Sequence, residues 1–220
     1  GCASIDIDRA VERTNQSAAS FTQGALAIDR GADAGAASQR LAGELLARPL
    51  AMDDAVRLSL ANNPQFQLLV AQGYVLLYVN PRGSQGYGQE FAHCIRGDWG
   101  NLDYADIMSG VDHAIAQGYV DPERLAAGGA SYGGYMTCWL LGHTDRFKAI
   151  VTERVVSNFI SFWGTSDIGQ TFGVWELGGK TPREDLETYV RCSPITYMDR
   201  ATTPTLLARL RGSARLAVLV

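Results

Sequence analysis

The chain has 220 residues, about one and a half domains on a 150-residue scale, and is 46% hydrophobic and 19% charged. That composition supports a globular core and excludes a disordered or fibrous chain. The net charge of −4 argues against a protein that binds nucleic acid through its global charge, and no apolar run approaches the ~18 residues of a membrane span.

The composition changes along the chain. Residues 1–63 carry 15 alanines, no lysine, no histidine and one aromatic, Phe21, while the other aromatic residues lie beyond Asn63. Such a shift marks a boundary between segments of different ancestry, so we divide the chain into a helical segment 1–63, a domain 64–207 and a tail 208–220. In the first segment, Met52, Val56 and Leu60 fall on one stripe. Asp53 and Asp54 sit in a first turn and Pro64 stops the element, which predicts an amphipathic helix. The stretch Pro49-Leu50…Asp53-Asp54-Ala55-Val56…Asn62-Asn63-Pro64 resembles the start of outer-membrane efflux lipoproteins, and Gly1-Cys2-Ala3 resembles the end of a lipobox. That resemblance implies an exported, lipid-anchored piece, although no basic region or apolar core of a signal precedes Cys2. The four cysteines, Cys2, Cys94, Cys138 and Cys192, form no C-x-x-C pair. They are expected to be free or buried thiols in a reducing compartment, with neither a metal site nor a disulfide framework.

Beyond Asn63, the continuous apolar run Gly73–Asn80 predicts a strand buried on both faces of a parallel sheet. The glycines of Pro81–Gly88 follow neither the dinucleotide nor the P-loop spacing, so this segment is expected to be a structural turn. Ile107, Val111 and Ile115 define a helix over 103–117 that ends at Gly118. A short strand over 125–128 then leads into Gly129-Ala130-Ser131-Tyr132-Gly133, followed by an apolar helix over 135–141. The G-x-S-x-G pattern is weak alone, but here it sits where a strand turns sharply into a helix. Small neighbours at such a turn let backbone approach backbone and leave the serine Oγ projecting, with helix N–H groups close to developing negative charge.

Several segments in order carry a further resemblance: Asn80–Phe91, Gly97-Asp98-Trp99-Gly100, Gly128–Met136, Ser157-Asn158, Gly164–Gly169, Glu176–Gly179, Ser193-Pro194 and Thr203–Leu206. Together they resemble the catalytic domain of the prolyl oligopeptidase family, in its acylaminoacyl-peptidase-like and dipeptidyl-peptidase-like branch, from about residue 66 to 207. The resemblance implies an incomplete α/β-hydrolase, a mostly parallel sheet with flanking helices. It implies Ser131 as acylated nucleophile, the Tyr132 backbone N–H as an oxyanion donor, and Val156, Phe159, Phe162 and Trp163 near an apolar specificity pocket. It also implies a peptide substrate, no cofactor, no metal and a cytoplasmic setting, in contrast to the lipobox-like Cys2.

The departures are as specific. A serine nucleophile on this fold takes its partners in the chain order Ser, Asp or Glu, His, yet His93, His113 and His143 are the only histidines. His143 lies at the far end of the helix that starts beside Ser131, some 18 Å along its axis. The family's His-Gly-Gly-Pro segment is replaced by Asp53–Asn63, its β-propeller has no counterpart, and Ala208–Val220 matches none of its pattern. The expectation is therefore the nucleophile half of a serine peptidase, inactive alone. The alternatives are a non-catalytic fragment or gene-fusion product, and an efflux lipoprotein piece. Unpaired sheet edges should make the chain poorly soluble.

Overall fold

The structure, a computed structural model, describes residues 12, 16, 39, 40, 42–47 and 74–208. The expected helix over 51–63, Cys2 and the tail beyond Ala208 lie outside the described residues. The chain forms two compact units, Gly1–Leu76 and Leu77–Val220. In the first, residues 39, 40 and 42–46 are helical and Leu45 is buried.

The second unit begins with residues 77–80, which take no regular secondary structure. This corrects the expected strand. A continuous apolar run is buried on both faces only where a ladder holds it in a sheet, and residues 74–80 carry no strand. Leu77 and Val79 pack into the core clusters while Tyr78 is 49% exposed. Residues 81–88 form the expected turn, with Gly83, Gly86 and Gly88 at positive φ. The turn is pinned by Arg82, whose backbone N–H (2.8 Å) and guanidinium (Nη2 2.6 Å) donate to Asp106. That pairing holds the Asp106 carboxyl below its ordinary range.

Helix α1 (Gln89–His93) precedes α2 (Leu102–Ala116), which ends one residue earlier than the sequence predicts and gives way to Gly118 at φ 84°. Strand β1 (Leu125–Ala130), helix α3 (Tyr132–His143) and strand β2 (Phe147–Glu153) follow as one βαβ unit. Helix α4 (Phe159–Thr165) is capped by the Asn158 side chain, which accepts from the backbone N–H groups of Ile160 and Ser161. A π-helical turn (Gly169–Gly173), α5 (Val174–Glu176), α6 (Leu186–Arg191), a 3-10 turn (Pro194–Arg200) and β3 (Thr205–Ala208) complete the order.

The sheet is parallel, in the order β1-β2-β3, and its register aligns Ala130 with Glu153 and Glu153 with Ala208. Helix α3 is apolar on every side and buried from Gly134 to Gly142, as a crossover helix enclosed by core must be. One face meets a cluster around Trp99, Tyr135, Phe159 and Tyr189; the other meets Val111, Leu125, Phe147 and Ile150.

Candidate active site

Ser131 is the single residue between β1 and α3. Its backbone, at φ 58° and ψ −116°, occupies a region that side chains rarely adopt. The surroundings hold it there. The Ser131 N–H donates to the Glu153 carbonyl of β2 at 3.1 Å, and the Ser131 carbonyl accepts from the Tyr135 N–H at 2.9 Å. Two glycines make the close approach possible. A Cβ on Gly129 would stand 2.4 Å from the Gly133 carbonyl, and one on Gly134 would stand 2.1 Å from the Glu153 carbonyl oxygen. Ser131 itself is exposed, and its side chain makes no capping bond to α3. The turn thus leaves a hydroxyl projecting at the C-terminal edge of a parallel sheet, where α/β folds place their ligands. Arg154, one residue past β2, also has a positive φ of 49°.

Tyr132 opens α3, so its N–H belongs to the first turn, whose amides lack intrahelical acceptors. Its side chain is firmly anchored. The phenol donates to Asp103 Oδ2 at 2.5 Å, and the edge of Trp99 packs against the ring at 5.0 Å. Burial raises the Tyr132 phenol far above its ordinary range, so it keeps its proton as the donor. Asp103 is fully buried and also accepts from the N–H groups of Gly100 (2.9 Å) and Tyr104 (2.9 Å). Burial raises its carboxyl while these bonds oppose the shift. The neighbouring acid, Asp98, pairs with Arg191 at 2.5 Å, and Trp99 Nε1 donates to Glu176 at 3.3 Å. The Gly97–Gly100 segment is therefore the pivot that fastens α2, α5 and α6 to the elbow.

Asp103 was not singled out in the sequence, although a signal was there: it occupies the same stripe as Ile107 and Val111, the other buried residues of α2. An acid on an apolar stripe must find donors inside the protein.

Of the four expected pocket residues, Phe159 lies in the core, 1% exposed and edge-on to Trp99 at 5.6 Å. Val156, Phe162 and Trp163 are partly buried and pack against that same cluster. None of the four lines the cavity of about 630 Å³ beside the elbow, whose walls include Ala130, Tyr132, Gly133, Met136, Leu77 and Val79. Phe172 and Trp175, 42% and 52% exposed, also line it.

The histidines have partners other than Ser131, and His93 also lines the cavity beside the elbow. His143 ends α3, stacked on Trp139 at 4.1 Å with Nδ1 2.7 Å from the Trp139 carbonyl, and burial pushes its imidazole below the ordinary value. His93 meets Trp175 edge-on, and His113 lies 3.4 Å from Gln117. Cys94, Cys138 and Cys192 are free thiols, and burial pushes Cys192 up to about 11. Among the described residues no helix is long and apolar enough to cross a membrane.

A nucleophile-elbow geometry on a parallel βαβ unit defines an α/β-hydrolase-like domain, here partial. Comparison with known proteins agrees: residues 61–209 match the prolyl oligopeptidase family of serine peptidases, and the chain belongs to that family. It is 51% identical over 144 residues to the uncharacterized peptidase YuxL of Bacillus subtilis, covering 65% of this chain and 22% of that protein. It is 36% identical over 141 residues to the acylamino-acid-releasing enzyme of Arabidopsis thaliana, covering 61% and 18%. Among solved structures, an acylaminoacyl peptidase from Pyrococcus horikoshii superposes with a TM-score of 0.64 at 36% identity, covering 67% of this chain and 24% of that one. The chain thus spans about a fifth of the length of the curated relatives it matches.

Proposed function

We propose that Ser131 is the nucleophile of a serine peptidase whose acid and base come from outside these 220 residues. The observation that carries this is the strained, exposed Ser131 between β1 and α3. In the reaction, Oγ attacks the scissile carbonyl and passes its proton to a general base. The backbone N–H of Tyr132 stabilises the oxyanion, the amine leaves with the transferred proton, and water hydrolyses the ester. Similarity to an acylamino-acid-releasing enzyme and to the dipeptidyl-peptidase 5 of Schizosaccharomyces pombe (36% identical) supports peptides cleaved near their N-terminus as substrates.

No histidine follows His143, so the isolated chain lacks the base. Removing the base of such a triad costs on the order of 10⁶ in rate, and a missing oxyanion donor about 10²–10³. The isolated chain should therefore not turn over. This favours a second reading, a fragment or fusion product in which the elbow is preserved without catalysis.

Treatment with a fluorophosphonate probe tests both statements. The isolated chain should label negligibly by itself and slowly at Ser131 when concentrated imidazole is added as an external base, with no labelling in Ser131→Ala. Rapid labelling without imidazole would overturn the claim that the base lies elsewhere. Absence of labelling with imidazole, or its persistence in Ser131→Ala, would overturn the nucleophile assignment and leave the fragment reading.

A further inference from the structure

We infer that Asp103 is a positioning residue that fixes the oxyanion-donating N–H of Tyr132, acting through the Tyr132 phenol; this rests on the peptidase reading of Ser131. The need for such an anchor follows from the local sequence. Ser131 is followed by Tyr132, Gly133 and Gly134, so Tyr132 carries the only side chain among the first three residues of α3. The glycines that permit the tight approach of α3 to β1 and β2 add no side chain of their own to anchor the turn. The peptide plane between Ser131 and Tyr132, which aims the donor N–H, is also the one set by the strained ψ of Ser131. Of its two ends, the Ser131 end is tied by backbone bonds to Glu153 and Tyr135. The Tyr132 end is tied through its ring.

Asp103 is built for that hold. It is fully buried at the first turn of α2, where a helix N-terminus favours negative charge, and its carboxylate is fixed by two backbone N–H groups before it meets the phenol. Trp99 closes on the ring from the side, and Trp99 cannot drift because it also packs edge-on against Tyr135 and Phe159. A buried, charge-assisted hydrogen bond from phenol to carboxylate is short and directional, which suits it to setting an angle. A loosely held donor stabilises the oxyanion less, because pre-organisation supplies most of that effect.

The test uses Tyr132→Phe, which removes only the hydroxyl and keeps the ring against Trp99, alongside Asp103→Asn and the double variant, all in the 220-residue chain. Two quantities are read: the backbone ¹⁵N order parameter of the Tyr132 amide, and the rate of imidazole-supported labelling of Ser131 by the fluorophosphonate. Tyr132→Phe should lower the order parameter from the rigid range near ~0.85 toward ~0.6 and slow labelling about tenfold, the loss of part of one oxyanion donor. The double variant should behave like Tyr132→Phe, since both changes break one bond. An unchanged order parameter in Tyr132→Phe, or a further undiminished loss when Asp103→Asn is added, would overturn the inference. If the unmodified chain fails to label with imidazole, the nucleophile assignment falls, and the order parameter alone decides whether Asp103 holds the amide.

Discussion

The elbow and the β3 edge belong to one sheet but are built in opposite ways. At the elbow the packing is tight: glycine Cα atoms meet backbone, Asp103 has three donors, and α3 is buried from Gly134 to Gly142. At β3, Leu206 and Leu207 are 61% and 67% exposed on a strand of four residues. The contrast shows where the folding energy is concentrated. The turn at Ser131 is over-determined because a strained serine persists only where its neighbours leave no alternative, whereas among the described residues Leu206 and Leu207 are left largely uncovered.

The sharpest way to break this contrast is Trp99→Ala. Trp99 is 7% exposed and touches the rings of Tyr132, Tyr135, Phe159 and Phe172. Its truncation should cost about 4 kcal/mol, read from the urea midpoint; a loss below about 1 kcal/mol would mean that the elbow is not the stability centre. Next in size, Gly134→Ala drives a Cβ to within 2.1 Å of a backbone oxygen and should cost roughly 3 kcal/mol. Gly164→Ala, in α4 with nothing within 4 Å, should instead gain about 0.5–1 kcal/mol. Equal effects at the two glycines would show that crowding at the elbow is overstated.

Ser131→Gly should stabilise by about 1 kcal/mol, because glycine adopts the φ 58° turn without strain, while imidazole-supported labelling with the fluorophosphonate disappears. A loss of stability would mean that the Ser131 side chain holds the fold together. Smallest in thermal terms, Leu206→Thr with Leu207→Thr should move stability by no more than about 0.5 kcal/mol. The same pair should reduce concentration-dependent light scattering, as expected when an exposed apolar edge is blunted. Unchanged scattering would place the association surface elsewhere.

Much of this arrangement was legible in the sequence where local patterns and backbone needs coincide. The 3.6-residue spacing of Ile107, Val111 and Ile115 located α2 to within a residue at each end, and the small residues around Ser131 located the β1-α3 turn. The β1 strand runs two residues further than expected because its glycine and alanine, poor strand formers alone, are held by the ladder to β2. The apolar run ending at Asn80 misled for the complementary reason. Its composition suits a central strand, but a strand exists only with a partner, which composition does not reveal. Asp103 is a tertiary fact: its meaning comes from Tyr132, 29 residues away.

The alignment of Ala130, Glu153 and Ala208 has a consequence for assembly. Ala130, Glu153 and Ala208 lie in register, so the rim that presents Ser131 carries Glu153 one strand spacing away and Ala208 two, about 10 Å. Side chains set above either end of that rim lie on the same side of the sheet edge as the Ser131 hydroxyl. The register therefore sets the scale of anything built over this rim: a span of about 10 Å, which roughly three extended residues cover.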